Sequence, residues 1–115
     1  MRFKMPYKIE KDVENEIKRV CKMYGIFVKK IGARERNGVN SGVPDLLLFK
    51  DGIYCLIEAK YNKGSVFQPS QTECFSDLKP YIAYAESDQV VLYKYPNKSD
   101  TRPLILFLND IFNIG

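Results

Sequence analysis

Residues 42–60 read GVPDLLLFKDGIYCLIEAK, and this stretch carries the strongest local prediction about the fold. Two apolar runs flank Asp51-Gly52, a residue pair typical of the two-residue turn that joins antiparallel strands. Such a turn pairs Lys50 with Ile53 and sets the register of every pair beyond them. Apolar side chains fall on both faces of the two strands, which indicates that both faces are buried. The stretch therefore predicts a β-hairpin within the core.

The same register places Asp45 directly opposite Glu58, at the end of the hairpin away from the turn. Opposed Cβ atoms in an antiparallel sheet lie about 4.5–5.5 Å apart, so two like charges there destabilise the sheet unless something neutralises them. Lys60 lies two residues beyond Glu58, on the same face of the strand. Hard cations such as Mg²⁺ bind one or two carboxylates and leave water and phosphate oxygens to complete an octahedron. The spacing thus indicates a divalent-metal site, whereas the alternative, a surface ion pair at a frayed strand end, leaves one of the three charges unused.

Apolar periodicity outside the hairpin predicts two helices and several further strands. Five apolar residues recur on one stripe between residues 10 and 24, which predicts a helix that ends at Gly25. Pro69 suits the first position of a second helix, which runs to Leu78. The remaining predictions are a strand over 26–31, loops over 32–43 and 61–68, strands over 81–85, 90–95 and 104–108, and a short helix over 109–114. This order of elements predicts an α/β sandwich with a mixed sheet.

Length and composition bound the class of protein. A chain of 115 residues, 45% of them hydrophobic, can bury one core, so we expect a single domain over residues 1–115. No stretch has the length and apolarity of a membrane span or of a signal peptide, which predicts a soluble, cytoplasmic protein without a membrane partner. The cysteines, Cys21, Cys55 and Cys74, form no CxxC pair and suit small core positions in a reducing compartment.

Charge is unevenly distributed along the chain. Residues 1–36 contain eleven Lys and Arg against five Asp and Glu, whereas residues 37–115 contain seven against nine. Clustered cations attract polyanions such as phosphate backbones, although a solvated helix face has the same excess. The chain has no histidine, which excludes histidine general bases and imidazole metal sites within it. Any chemistry must therefore use carboxylates, lysine, tyrosine or cysteine.

Pro44-Asp45 followed by Glu58-Ala59-Lys60 resembles the signature of the PD-(D/E)XK nuclease superfamily. The context adds to the resemblance, because a predicted hairpin lies between the halves of the motif, a helix with glutamates precedes it and a helix with a glutamine follows it. Within that superfamily the chain most resembles the VRR-NUC domains of phage-type nucleases and the archaeal Holliday junction resolvases, from the first helix to the second. The resemblance implies a restriction-endonuclease-like mixed sheet flanked by helices, and it is compatible with a virus-encoded protein.

The resemblance also implies a role for each polar residue of the hairpin. Asp45 and Glu58 bind the metal, the carbonyl of Ala59 assists, and Lys60 acts on the attacking water. The implied cofactor is Mg²⁺, for which Mn²⁺ can substitute. These roles agree with the residue types, because a bound metal polarises the phosphate and lowers the pKa of a bound water, while an ammonium group offsets developing charge.

A glutamate of the first helix completes such a site. Glu14 fits this role by resemblance, because it stands eleven residues before Gly25. It also borders the apolar stripe of the helix and does not lie on its outer face. Glu10 and Glu16 are the alternatives within the helix, and for each of the three glutamates solvent exposure without a role is the simpler explanation.

Two further sets of residues are candidates for contacts in the site or with the substrate. Gln71 shares a helix face with Phe75 and Leu78, and VRR-NUC-like sequences carry a glutamine at a similar place. It is either a residue of the site or a buried amide with satisfied hydrogen bonds. Basic residues shortly before Asp45 are candidates for phosphate contact, with a solvated loop as the alternative; they are Lys29, Lys30, Arg34 and Arg36.

Taken together, the motif predicts a Mg²⁺-dependent DNA endonuclease, and the resemblance alone implies branched DNA such as Holliday junctions as its substrate. One alternative is a nicking or restriction-like endonuclease that acts on ordinary duplex DNA. A second is a non-catalytic DNA-binding module of the same fold. Residues 103–114 carry more apolar surface than one face buries, which predicts a homodimer unless the run is a central strand covered on both faces.

Overall fold

Residues 9–31 and 42–114, which this computed structural model describes, form three helices and six strands. In chain order these are α1 (Glu10–Met23), β1 (Phe27–Lys30), β2 (Leu46–Lys50), β3 (Ile53–Ala59), α2 (Pro69–Leu78), β4 (Tyr81–Glu86), β5 (Gln89–Lys94), β6 (Thr101–Pro103) and α3 (Leu104–Phe112). The strands form one sheet in the spatial order β1-β2-β3-β4-β5-β6. Neighbouring strands are antiparallel except β3 and β4, which are parallel. The predicted α/β architecture with a mixed sheet is confirmed.

The hairpin of β2 and β3 has the predicted register. Lys50 pairs with Ile53, and the pairing continues in the same register along both strands. The turn residues Asp51 and Gly52 have φ values of 52° and 80°. A two-residue type I′ turn requires positive φ at both positions, which aspartate and glycine tolerate. Local turn chemistry therefore sets the alignment of the two strands that carry the acidic residues.

Helices cover the two faces of the sheet unequally. On one face, α1 and α3 pack against β2, β3, β4 and β5 and form the main core. On the other face, α2 packs through Phe75 against side chains of β4 and β5 such as Tyr84 and Tyr93. Successive side chains of a strand point to opposite faces, so β4 and β5 contribute to both clusters. The only helix on the second face thus lies over one half of the sheet, as far as the described residues go.

The second face of the hairpin is open, so the prediction that both of its faces are buried is wrong. The side chains of Phe49 and Tyr54 are 39% and 70% exposed. Leu47 and Leu56, on the same face and nearer the acidic residues, are half-buried. The reason is the position of α2, whose apolar contacts among the described residues are with β4 and β5.

The C-terminal run forms a helix, so the strand predicted over residues 104–108 is wrong. Leu104, Phe107, Leu108 and Phe112 are its buried residues, and their spacing of three and four is helical. A short apolar run alone does not distinguish a strand from a buried helix, and the periodicity over the whole run decides here. The short helix predicted after it is the second half of α3, and the edge strand β6 was not predicted.

The other predicted elements agree with the structure to within about two residues at their ends. Gly25 follows α1 with a φ of 71°, and most of the loop predicted over 32–43 lies outside the described residues. Cys21 and Cys55 are buried, Cys74 is half-buried, and all three thiols are free. No helix in the described part of the chain is long and apolar enough to cross a membrane.

Candidate active site

Asp45 lies immediately before β2, at the end of the hairpin away from the turn. Its backbone oxygen accepts a hydrogen bond from the N–H of Ile31 at 2.8 Å. Its Oδ2 accepts one from the N–H of Ala59 at 2.9 Å. Counted from the turn, the backbone pairing of the hairpin ends with the pair Leu46 and Ile57, one residue before it would reach Asp45. The side chain of Asp45 thus takes over a backbone donor of β3, which holds its carboxylate beside the end of that strand.

Glu58 is the penultimate residue of β3 and is only 3% exposed. Its Oε2 accepts a hydrogen bond from Nε2 of Gln71 at 2.8 Å and lies 3.7 Å from Nζ of Lys60. Its Oε1 is buried and receives no hydrogen bond from any residue that the structure describes. A buried carboxylate oxygen in that state is destabilising unless a ligand satisfies it. One oxygen of Glu58 is therefore held in place, and the other is available.

Lys60 is buried beside Glu58 and is oriented by α2 and by the loop before it. Its Nζ donates to Oε1 of Gln71 at 3.0 Å and to the backbone oxygen of Val66 at 3.3 Å. It also lies 4.8 Å from the centre of the Phe67 ring, within the range of a cation–π contact. Sequence reasoning missed the contacts of Lys60 with Val66 and Phe67, because no local signal indicates them.

The amide of Gln71 connects the two charged side chains. Its Oε1 accepts hydrogen bonds from Lys60 and from the N–H of Gln68 at 3.0 Å, while its Nε2 donates to Glu58. The opposite amide orientation would direct an NH₂ group at two donors and an oxygen at a carboxylate, so the network determines the orientation. Gln71 is thus a satisfied amide, and it also contacts both Glu58 and Lys60.

The two acidic groups are electrostatically strained without a cation. Burial raises the pKa of Glu58 to about 8, and the neighbouring charge of Asp45 adds to this rise, against the lowering effects of Lys60 and Gln71. Burial likewise raises the pKa of Asp45 to about 6, opposed by the hydrogen bond from Ala59. Desolvation and a like charge both favour the protonated form. A divalent cation reverses both effects, because it supplies the missing opposite charge.

The glutamates of α1 approach this pair from the side of the main core. Glu14 is buried, and both of its oxygens accept hydrogen bonds from Nζ of Lys30, at 3.0 and 2.9 Å. Its charge raises the pKa of Asp45, and the charge of exposed Glu10 raises the pKa of both Asp45 and Glu58. Glu16 instead pairs with an arginine of its own helix. The structure therefore brings two glutamates near the acidic pair, the predicted one and its first alternative.

The predicted basic residues fall in different environments. Lys30 lies on the α1 side of β1 and neutralises Glu14, which gives it a partner other than phosphate. Lys29 points to the opposite face and is exposed. Arg34 and Arg36 lie outside the described residues.

Gly42, in the segment before Asp45, lies close to the start of α2, the helix that carries Gln71. Its φ is 90°, and a Cβ atom there would lie 2.4 Å from the backbone oxygen of Ser70. Only glycine permits both that backbone conformation and that approach. The sequence pattern includes Gly42, but nothing in it indicates Ser70 as the neighbour.

The donor set fits a hard cation that keeps most of its water. Within residues 9–31 and 42–114, no group of three or more Asp, Glu or Cys side chains is arranged to hold a metal ion. Mg²⁺ commonly uses only one or two protein carboxylates, however, with water and substrate phosphate as its other ligands. Asp45 and the unsatisfied Oε1 of Glu58 match that requirement. In the structure, Ala59 contacts Asp45 through its N–H. A role of the Ala59 carbonyl oxygen as a metal ligand stays a prediction.

Comparisons of the chain with protein-family models, with curated proteins and with solved structures each found no match.

Proposed function

We propose that this chain is a divalent-metal-dependent DNA endonuclease of the PD-(D/E)XK type, with the restriction-endonuclease-like fold. The observation that carries the proposal is the group of half-buried Asp45 with buried Glu58 and Lys60. One Glu58 oxygen there receives no hydrogen bond from the described residues, while Gln71 holds the other. Surface ion pairs do not require this arrangement, because exposed charges are satisfied by water. Ionisable groups withdrawn from water in one cluster are expensive to maintain and are typical of a functional site.

The residues divide the chemistry among themselves. Asp45 and Glu58 would bind Mg²⁺ or Mn²⁺, which supplies Lewis-acid polarisation of the phosphate and a more acidic bound water. Lys60, held by Gln71 at 3.0 Å, would orient the attacking water and offset the negative charge that develops on the phosphate. Glu14 is proposed as a further participant on the α1 side, with Glu10 as its alternative.

Branched DNA as the substrate and a homodimer as the active form are proposed on narrower support. A two-fold dimer presents two active sites to two strands, as paired cleavage of a four-way junction requires. The exposed apolar residues Ile105 and Leu106 of α3 offer surface for such an interface. Free cysteines suit a reducing interior, so we place the action inside the cell. A nicking enzyme on duplex DNA retains the same chemistry with a different target.

The test uses Asp45→Asn and Glu58→Gln, with Asp51→Asn as the matched control. Asp51 lies in the exposed turn, and asparagine suits its positive φ, so this control removes a carboxylate without touching the site. Linear, flapped and four-way DNA are incubated with each protein in Mg²⁺ and in Mn²⁺. We expect cleavage by the wild type and the control and none by the two site variants.

A second measurement separates loss of metal from loss of fold. Calorimetric titration with Mn²⁺ should show binding to the wild type and to Asp51→Asn and weakened binding to both site variants. Their unfolding midpoints without metal should equal or exceed that of the wild type, because each change relieves repulsion between carboxylates. Full cleavage by either site variant contradicts the proposed site, and DNA binding without cleavage by the wild type favours a non-catalytic module.

A further inference from the structure

The open face of the hairpin and β1 carries a row of three aromatic side chains at cross-strand positions. Phe27 of β1 pairs with Phe49 of β2, which pairs in turn with Tyr54 of β3. The three side chains, named here the aromatic row, are 64%, 39% and 70% exposed. The rings of Phe27 and Phe49 are stacked, with centroids 5.3 Å apart and planes 15° from parallel. Large exposed apolar groups that cluster in this way mark a binding surface.

The aromatic row lies on the same face of the sheet as the candidate active site. Side chains alternate between faces, so Tyr54, Leu56 and Glu58 of β3 point the same way. On β1, Lys29 lies on this face two residues beyond Phe27 and pairs with Leu47 of β2. Each step of two residues spans roughly 6.6 Å, so the row lies about 13 Å from the acidic pair. Aromatic rings, a lysine with two leucines, and the acidic pair therefore follow one another across one surface.

We propose that this surface binds unpaired nucleotides of the substrate strand, with bases stacked on the aromatic row and a phosphate held by Lys29. The inference rests on the proposed function for the position of the scissile phosphate at Asp45 and Glu58. Exposed aromatic rings beside a cation are the features by which proteins bind single-stranded nucleic acid without sequence preference. The two steps along β3 from Tyr54 to Glu58 leave room for nucleotides between the stacked bases and the cleavage point. The substrate class is therefore DNA with a single-stranded or splayed segment next to the cleavage point.

A second copy of the chain is the competing occupant of this face, and two observations disfavour it. Lys29 is an exposed charged residue beside this surface, whereas protein interfaces are depleted of lysine. A second subunit bound to this face would also cover the approach to Asp45 and Glu58. A nucleic acid strand satisfies Lys29 and ends at the acidic pair.

The test measures binding without cleavage, by fluorescence anisotropy in the presence of a chelator. The probes are a labelled oligodeoxythymidylate and a strand of equal length that lacks bases. Tyr54→Ala should weaken binding of the thymidine strand about tenfold, the loss of one base stack, and leave binding of the abasic strand unchanged. Tyr54→Phe should retain the wild-type affinity, because it keeps the ring. Phe27→Ala is the second variant and should behave as Tyr54→Ala does.

Matched controls separate stacking from charge. Met23→Ala removes an exposed apolar side chain at the end of α1 and should change neither affinity. Lys29→Gln should weaken binding of both strands equally and lower the salt dependence by about one phosphate contact. Lys98→Gln, an exposed lysine between β5 and β6, should leave the salt dependence unchanged.

Equal losses on the thymidine and abasic strands, or no loss on either, would overturn the proposal. It is also overturned if Tyr54→Ala abolishes self-association in sedimentation and leaves DNA binding intact, since the face then belongs to a second copy. These outcomes leave the cleavage assay and its Glu58→Gln variant unaffected. Conversely, a protein that loses thymidine binding in Tyr54→Ala but never cleaves DNA supports the surface and contradicts the nuclease.

Discussion

Gln71 is the residue through which the charged side chains of Glu58 and Lys60 are positioned. One amide satisfies Oε2 of Glu58 and the ammonium of Lys60 at once, at 2.8 and 3.0 Å. Groups that orient metal ligands in this way determine which lone pairs remain available for the ion. Because Oε2 is occupied, Oε1 is the oxygen of Glu58 left for a cation.

Gln71→Ala should therefore lower activity although Gln71 is proposed to contact neither metal nor phosphate. We expect a decrease of roughly 10- to 100-fold in Mn²⁺ affinity or in the single-turnover cleavage rate, the usual effect of removing such a partner. DNA affinity in a chelator should change little. Gln89→Ala, an exposed glutamine at the start of β5, is the control and should leave all three quantities unchanged. Unchanged metal affinity and unchanged rate in Gln71→Ala would reduce Gln71 to a structural amide.

At the scale of elements, the site depends on how the segment before β2 meets the first turn of α2. Asp45 comes from the first and Gln71 from the second, and Gly42 lies so close to the backbone of Ser70 that a Cβ atom would not fit. Because that contact is between backbones, no side-chain rearrangement can relieve a steric conflict there. The separation of Asp45 from the Gln71 network is thus sensitive to a single added methyl group.

Gly42→Ala and Gly52→Ala form a matched pair that tests this contact. Both glycines have positive φ, but a Cβ at Gly52 meets nothing within 4 Å, whereas one at Gly42 meets the oxygen of Ser70 at 2.4 Å. Gly52→Ala should lose about 1–2 kcal/mol of unfolding free energy from backbone conformation alone. Gly42→Ala should lose a further ~1–3 kcal/mol from overpacking, measured by urea denaturation, and should also lower the cleavage rate. Equal losses of stability and of rate in both variants would contradict a role for the contact.

At the scale of the whole molecule, the raised pKa values of Asp45 and Glu58 make stability depend on pH. The pKa of Glu58 is about 8 in the folded protein against 4.5 for the ordinary carboxyl. The pKa of Asp45 is about 6 against 3.8. The folded state therefore binds these protons more tightly than the unfolded state. Their contribution to stability is complete below the unfolded values and is lost as pH rises through the folded values.

We expect the urea midpoint of the metal-free protein to fall between about pH 5 and about pH 8, where these two groups lose their protons. Glu58→Gln should flatten the upper part of this decline, because a neutral amide has no proton to lose. Saturating Mg²⁺ should raise the midpoint most at the high-pH end, since the ion binds the ionised carboxylates. Asp51→Asn should retain the wild-type profile. A metal-free midpoint that stays level or rises across this range would contradict the raised pKa values of the two acids.

Local sequence chemistry alone was enough to predict the hairpin and α1. The turn at Asp51-Gly52 accepts the positive φ values that its type requires, and this sets the register that brings Asp45 beside β3 near Glu58. The stripe of apolar residues that predicts α1 is buried in the structure. These predictions succeeded because the interactions that decide them lie within a few residues along the chain.

Tertiary structure decided the remaining features, namely the helical state of α3, the approach of Gly42 to Ser70, the Gln71 network and the open face of the hairpin. The side chains that meet in the network come from β3 and α2, and no local pattern specifies their distance. Among the described residues, the helix on the face that carries the aromatic row packs on β4 and β5. Which face a helix covers depends on the burial available across the whole sheet, a sum over residues distant in sequence that no local pattern contains.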